Sequence, residues 1–317
     1  MEDLISFIIP AYNNENTIGE CIGSVLKQTC KKEIIVVDNG STDRTRDIIE
    51  RYPVKLLIEK KRGAAAARNR GLGVANGNLV AFVDADAVLP RKWCAKALQI
   101  LKNAKEDVVG AGGPLLSIGR SDIAKALDAL SFGKPRNIGR TYTDALNASG
   151  VMFDMKIFRE IRFDENLIRG QDTELGFRIR NAGYKLLYDS ELYVYHHNPT
   201  TLKSLVKKWF KYGKSYPLSY LKHRKMRGTW FYARVFFIPV LFLLIALSFI
   251  WTITAWIACL QLLILFFSYI YIGLQIPTEI RRIDVITFSF IQTIKQLAQL
   301  MGIWYGFFER MFFKPIG

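Results

Sequence analysis

The sequence predicts a doubly wound α/β domain followed by a membrane-embedded helical tail. Three observations predict it. Over residues 4–109, short runs rich in Ile and Val alternate with segments of helical apolar spacing, the pattern of a parallel sheet wrapped by helices. Polar residues follow the strands in three loops that such a sheet brings to one edge. The 44 residues between Arg234 and Glu279 contain no Asp, Glu, Lys, Arg or His.

The four predicted strands cover residues 6–10, 33–37, 54–58 and 78–83. Each is a continuous apolar run, as expected for strands covered on both faces. Helices are predicted over 18–28, 43–51 and 63–75. After Val109 the pattern loosens until Asp154, which reads as substrate-binding elaboration rather than more sheet. Residues 170–183 then form a helix, with acids in its first turn, Arg178 and Arg180 late, and Gly183 closing it. A strand over 192–195 precedes His196 and His197. The catalytic domain is therefore expected over 1–215.

Charge and hydropathy define the rest. The chain carries 44 Lys and Arg against 28 Asp and Glu, a net charge of +16, which calls for an anionic partner. Ten of the basic residues and no acidic one lie between Thr200 and Arg234, directly before the apolar stretch, so a membrane surface is favoured over nucleic acid. No nucleic-acid-binding motif is present. A single helix through the apolar stretch would measure about 66 Å, against about 30 Å of hydrocarbon. Two helices in a hairpin fit better. They are expected at about 235–254 and 256–274 within a segment 235–278, with a turn near 252–256 and Trp251 and Trp256 at the interface. The basic flanks, Arg224, Lys225, Arg227 and Arg234 before and Arg281 and Arg282 after, place both ends in the cytosol. The segment 216–234 is a basic juxtamembrane stretch. The N-terminus lacks the basic region of a signal peptide, in keeping with a cytosolic catalytic domain and a multi-pass tail. Residues 279–317 contain an amphipathic helix, with apolar residues at 283, 286, 290, 294, 297, 301, 304, 308 and 312 and Gln292, Lys295, Gln296 and Gln299 opposite. It is expected in the membrane interface or packed on the hairpin. Cys21, Cys30, Cys94 and Cys259 show no metal-ligand spacing and are expected as free thiols.

The chemistry concentrates in the loops after the first, second and fourth strands, residues 10–14, 38–43 and 84–86. Asp84 and Asp86, two apart on extended chain, can face one cation. Their hard oxygens suit Mg²⁺ or Mn²⁺, which commonly bridges substrate phosphates, so a nucleotide diphosphate is implied. His196 is either a further ligand or a surface histidine. Asp172 opens a helix, where a carboxylate serves either as a dipole partner or as a general base toward an attacking hydroxyl. Glu174 points elsewhere on that helix.

Five ordered segments, residues 7–13, 34–43, 66–71, 80–86 and 170–175, resemble the family 2 glycosyltransferases over residues 5 to about 215. The resemblance implies a GT-A fold, with a Rossmann-like, mostly parallel sheet and helices on both faces. It also implies an inverting, metal-dependent transfer from a nucleotide sugar, a UDP- or GDP-sugar. By resemblance Tyr12 and Asp38 hold the base, with Pro10, Ala11 and Ala85 beside them in the donor site. Arg68 supports the donor, Asp84 and Asp86 manage diphosphate and metal, and Asp172 is the base. Gln171 stands where the family usually has Glu, and is assigned with Lys208 and Trp209 to the acceptor side. Processive synthases resemble one another in Gln-x-x-Arg-Trp. Residues 205–209 read Leu-Val-Lys-Lys-Trp, which favours addition of one sugar to a membrane-held acceptor such as a lipid-linked saccharide or glycolipid in cell-surface glycan assembly. The alternatives are transfer to a polyprenyl phosphate, whose ionised oxygen needs no base, and an inactive membrane scaffold.

Overall fold

The computed structural model describes residues 3–131, 134–135, 139–167, 169–222, 229–248, 252–276 and 282–312. In order, the chain lays down β1 (Ile5–Ala11), α1 (Ile18–Leu26), β2 (Lys32–Asp38), α2 (Thr45–Ile49), β3 (Lys55–Ile58), α3 (Ala64–Leu72), β4 (Leu79–Phe82), β5 (Ala87–Val88) and α4 (Trp93–Lys102). There follow β6 (Val108–Gly112), β7 (Leu115–Ser117), α5 (Asp122–Asp128), β8 (Leu130–Ser131), β9 (Lys134–Pro135), β10 (Arg140–Thr143) and β11 (Val151–Asp154). Then come α6 (Gln171–Asn181), β12 (Lys185–Asp189), β13 (Val194–His196), α7 (Leu202–Lys222), α8 (Thr229–Ser248), α9 (Thr252–Leu274) and α10 (Val285–Phe312). The chain divides into two compact units, Met1–Ile118 with Arg136–His197, and Gly119–Pro135 with Asn198–Gly317.

In the first unit an eight-stranded sheet runs β10-β12-β6-β11-β4-β1-β2-β3. Side chains alternate across it as strand geometry requires. Phe7, Ile9, Ile34, Val36 and Ala81 pack with α1 and α4 on one face, around Ile18, Ile22 and Trp93. Ile8, Ile35, Val37, Val80 and Phe82 pack on the other with α3, α6 and the aromatic group Phe153, Phe158 and Phe163. Strand β1 lies between β2 and β4, parallel to both. The order therefore reverses direction there, and the crevice at the carboxyl ends of β1 and β4 is the place where such sheets bind ligands.

Two expectations fail in this unit. The stretch after Val109 is not merely elaboration. It supplies β10 and β11, and β11 is inserted antiparallel between β4 and β6 to extend the sheet. Strand β3 is the sheet edge and is only partly covered, with Ile58 40% exposed. A third correction concerns the cysteines. Cys30 and Cys94, 64 residues apart, form a disulfide between the start of β2 and α4, while Cys21 is buried and Cys259 exposed as free thiols.

The second unit is helical. Helix α10 packs on α7, α8, α9 and α5. Its crossing with α7 brings backbone onto backbone: a Cβ added at Gly302 would fall on the carbonyl of Phe210, and one at Gly213 on that of Gln299. Glycine is required at both, as in close helix pairs of membrane proteins. Among the described residues, one helix, Thr254–Leu274, is long and apolar enough to cross a membrane, and α8 holds a shorter apolar stretch, Phe236–Ile245. Residues 252–256, expected as a turn, begin α9, because nothing in Thr-Ile-Thr-Ala-Trp breaks a helix. Trp251 and the basic residues Arg224, Lys225, Arg227 and Arg281 lie outside the described residues. Helix α10 is apolar on more than one side. Phe288, Ile291, Gln292 and Ile303 are buried, whereas Ile286, Phe290, Met301 and Phe308 of the predicted apolar stripe are about half exposed or more.

Candidate active site

Loops after β1 and β2 are tied to each other. Asn13, in a left-handed conformation, accepts the Thr42 N–H through its side-chain oxygen at 2.8 Å, and Ser41 Oγ accepts the Asn13 N–H at 3.0 Å. Asp38 is buried at the end of β2 and accepts the Ser41 N–H at 3.1 Å. Tyr12 is 43% exposed, and the Arg62 guanidinium lies 4.2 Å over its ring. Tyr12 and Asp38 thus follow and end adjacent strands, with Ala11 paired to Asp38. Ala11 and Ala85 bury their side chains in the core, so they can meet a ligand only through backbone, and Pro10 is half-buried beside them.

Arg68 of α3 is the hub. It is 4% exposed, and its guanidinium donates to Asp84 Oδ1 at 2.7 Å and to Gln171 Oε1 at 3.0 Å. The same group lies 3.9 Å from Asp172 Oδ1. Asp84 accepts a second bond from Ser149 Oγ. Gly170, at φ 75°, turns the chain into α6 so that Asp172 falls in the first helical turn. The Asp172 side chain keeps about a quarter of its surface open. Burial pushes its carboxyl above the usual range, the Arg68 guanidinium holds it down in part, the charge of Asp84 adds to the rise, and a backbone hydrogen bond at Ala148 opposes it. A carboxylate raised toward neutrality is a better proton acceptor than an ordinary one. Glu174 is 1% exposed and doubly bonded to Arg178, at 2.6 and 2.7 Å, so its role is to hold the helix.

Gln171 does not open toward an acceptor. It is buried, and its amide is used between the Leu167 carbonyl and Arg68. Lys208 and Trp209 belong to the second unit, on α7. There Lys208 Nζ reaches Asn198 Oδ1 at 3.4 Å, and Lys295 stands 4.8 Å over the Trp209 ring.

Asp84, Asp86 and His196 each offer one ligand atom, all within 4.8 Å of one another. His196 lies within β13, one residue beyond the predicted strand end, in register with Ala87 of β5, and its Nε2 is 3.1 Å from Asp86 Oδ1. Its Nδ1 is buried with no hydrogen-bond partner among the described residues. Two carboxylates and an imidazole around one point fit a divalent cation such as Mg²⁺ or Mn²⁺. Beneath them the Cys21 thiol donates to the Asp84 carbonyl at 3.3 Å, and burial pushes its ionisation well up, so it stays protonated. The sequence alone does not mark Ser149 or Arg62 as site residues. Ser149 meets Asp84 across 65 residues, and Arg62 is simply the last of three consecutive basic residues.

A profile described as Glycosyl transferase family 2 matches residues 6–166. A Methanococcus voltae protein, named dolichyl N-acetyl-alpha-D-glucosaminyl phosphate 3-beta-D-2,3-diacetamido-2,3-dideoxy-beta-D-glucuronosyltransferase, is 26% identical over 300 residues, which are 86% of this chain and 92% of that one. An Escherichia coli protein, UDP-Glc:alpha-D-GlcNAc-diphosphoundecaprenol beta-1,3-glucosyltransferase WfgD, is 42% identical over 106 residues, 32% of this chain and 40% of its own. Among solved structures, the mannosyltransferase PcManGT from Pyrobaculum calidifontis, in complex with GDP-Man and Mn²⁺, shares the GT-A fold at TM-score 0.63 and 18% identity, over 98% of this chain and 88% of that one.

The metal reading is checked by titrating the protein with Mn²⁺ and following the free ion by electron paramagnetic resonance. Asp86→Ala is expected to abolish binding and His196→Ala to weaken it by about ten-fold or more. Binding unchanged in both variants would rule out the cluster.

Proposed function

The chain belongs to glycosyl transferase family 2, and we propose that it moves one sugar, with inversion, from a UDP- or GDP-sugar to a hydroxyl of a membrane-held saccharide. The observation that carries this reading is the pair of carboxylates on one buried cation, Asp84 at 2.7 Å and Asp172 at 3.9 Å from Arg68. They divide the work. Asp172 takes the proton of the acceptor hydroxyl as its oxygen bonds the anomeric carbon, and the bond from that carbon to the diphosphate breaks, releasing the nucleoside diphosphate. Asp84, Asp86 and His196 would hold a divalent cation, which supplies positive charge to the diphosphate. In this reading Tyr12 and Asp38 hold the base, and the Arg62 cation 4.2 Å over the Tyr12 ring suits the same anionic donor.

Names of two relatives support the acceptor class. One is named for a dolichyl-linked N-acetylglucosaminyl phosphate, the other for a GlcNAc-diphosphoundecaprenol. A sugar hydroxyl needs a base, and Asp172 is well suited to be one. In the same reading Gln171 positions Arg68, and Lys208 and Trp209 stay assigned to the acceptor side.

We further propose that α8 and α9 form a hairpin across the membrane, with α10 at the interface and the catalytic unit in the cytosol. The uncharged stretch of 44 residues, its basic flanks and the 11% burial of the most apolar window of α9 support this.

Two outcomes are expected. Asp172→Asn lowers the transfer rate by about 10²–10⁴-fold while nucleotide-sugar affinity, read by calorimetry, is kept. Full transfer by that variant would remove Asp172 from the base role. Single cysteines placed at Thr200 and Glu279 react with a membrane-impermeant reagent from the cytosolic side only; reaction of one of them from the opposite side would sink the hairpin.

A further inference from the structure

Helix α7 carries lysines at 203, 207, 211 and 214, spaced four, four and three apart and therefore stacked along one face. Leu202, Val206 and Phe210 run beside them. With Tyr305 of α10 these residues line a groove of about 670 Å³. Its floor is apolar and open, with Leu202, Val206 and Tyr305 at 42%, 39% and 48% exposure.

The charges on its rim are uneven. Lys214 is committed, ion-paired with Glu309 at 2.8 Å and held 4.9 Å over the Tyr305 ring. Lys203, Lys207 and Lys211 are exposed, with no acidic partner among the described residues. Helix α7 contains no Asp or Glu that could relieve their repulsion. A row of like charges one turn apart is unfavourable alone and favourable around an anion.

The floor selects which anion. Free phosphate would use the lysines and leave the apolar surface wet. A phospholipid uses both, with its chain on the floor and its phosphate on the lysine heads, whose stems lie along apolar surface. The groove also belongs to the same unit as α9, and α10, which closes one wall, packs on both α7 and α9.

We infer that this groove binds one anionic phospholipid, its phosphate on Lys203, Lys207 and Lys211 and its acyl chain along Leu202, Val206, Phe210 and Tyr305. The inference rests on the membrane association proposed above and is independent of the transfer reaction. It assigns α7 a ligand of its own, selected by head-group charge.

Native mass spectrometry of the full chain in detergent micelles tests it, with phosphatidylglycerol, phosphatidylcholine and inorganic phosphate as probes. Phosphatidylglycerol adducts are expected at concentrations where phosphatidylcholine gives few, and equimolar phosphate does not displace them. K203Q, K207Q and K211Q combined weaken phosphatidylglycerol binding about 100-fold. The three Lys→Arg changes combined restore it, and glutamines at the exposed lysines Lys27, Lys31 and Lys105 leave it intact. Equal binding of the two lipids, displacement by phosphate alone, or full binding by the triple glutamine variant would overturn the inference. Failure of the membrane reading shows separately, as release of the chain from membranes by alkaline carbonate without detergent.

Discussion

Arg68 is the constraint on which the active site depends. A guanidinium that is 4% exposed is stable only if its charge is met, and here three groups from two distant parts of the chain meet it. Asp84 arrives at the end of β4, and Gln171 and Asp172 at the start of α6. Breaking a buried pair of this kind by removing one partner typically costs about 3–5 kcal/mol. The contacts that satisfy the cation therefore also hold Asp84 and Asp172 on either side of one guanidinium, at 2.7 and 3.9 Å. Geometry and stability are one arrangement here. A carboxyl at Asp172 whose pKa is raised by burial but kept in check by Arg68 is the chemical consequence.

The sheet explains why these residues meet. Strands β1 and β4 are parallel neighbours at the point where the strand order reverses, so their following loops border one crevice. The loop after β4 bears Asp84 and Asp86, and β13 brings His196 to the same place through its pairing with β5. Ser149, just before β11, adds its hydroxyl to Asp84. Insertion of β11 next to β4 thus completes the site as well as the sheet. The helical unit obeys a different logic. Its α7 and α10 touch backbone to backbone through Gly213 and Gly302, while α10 keeps Phe290 and Phe308 exposed on its other side.

Much of this was legible in the sequence, and the reasons differ by element. Strands β1, β2 and β4 are buried on both faces, so they read as unbroken apolar runs, and the polar loops after them were placed on one edge by the topology of such sheets. Strands β10 and β11 were not legible, because they are short and β11 owes its place to antiparallel partners far away in sequence. The bond from Arg68 to Gln171 was not legible, because the two residues stand 103 apart in sequence. The Cys30–Cys94 bridge was not legible, because placement in a reducing compartment implies free thiols and nothing in the sequence pairs residues 64 apart. In α10 the sequence offers more than one apolar stripe, and burial chose Phe288, Ile291 and Ile303 over Ile286, Phe290, Met301 and Phe308.

The chain is a family 2 glycosyltransferase in which one buried arginine joins Asp84 to Asp172, and the proposed reaction uses that pair to add one sugar to a membrane-held acceptor. The most direct measurement adds a panel of UDP- and GDP-sugars to membranes carrying the protein and weighs the lipid-linked saccharides before and after. A gain of one sugar residue on one lipid-linked acceptor, with one donor, is the predicted result. No gain with any donor, or a ladder of successive additions, would contradict it.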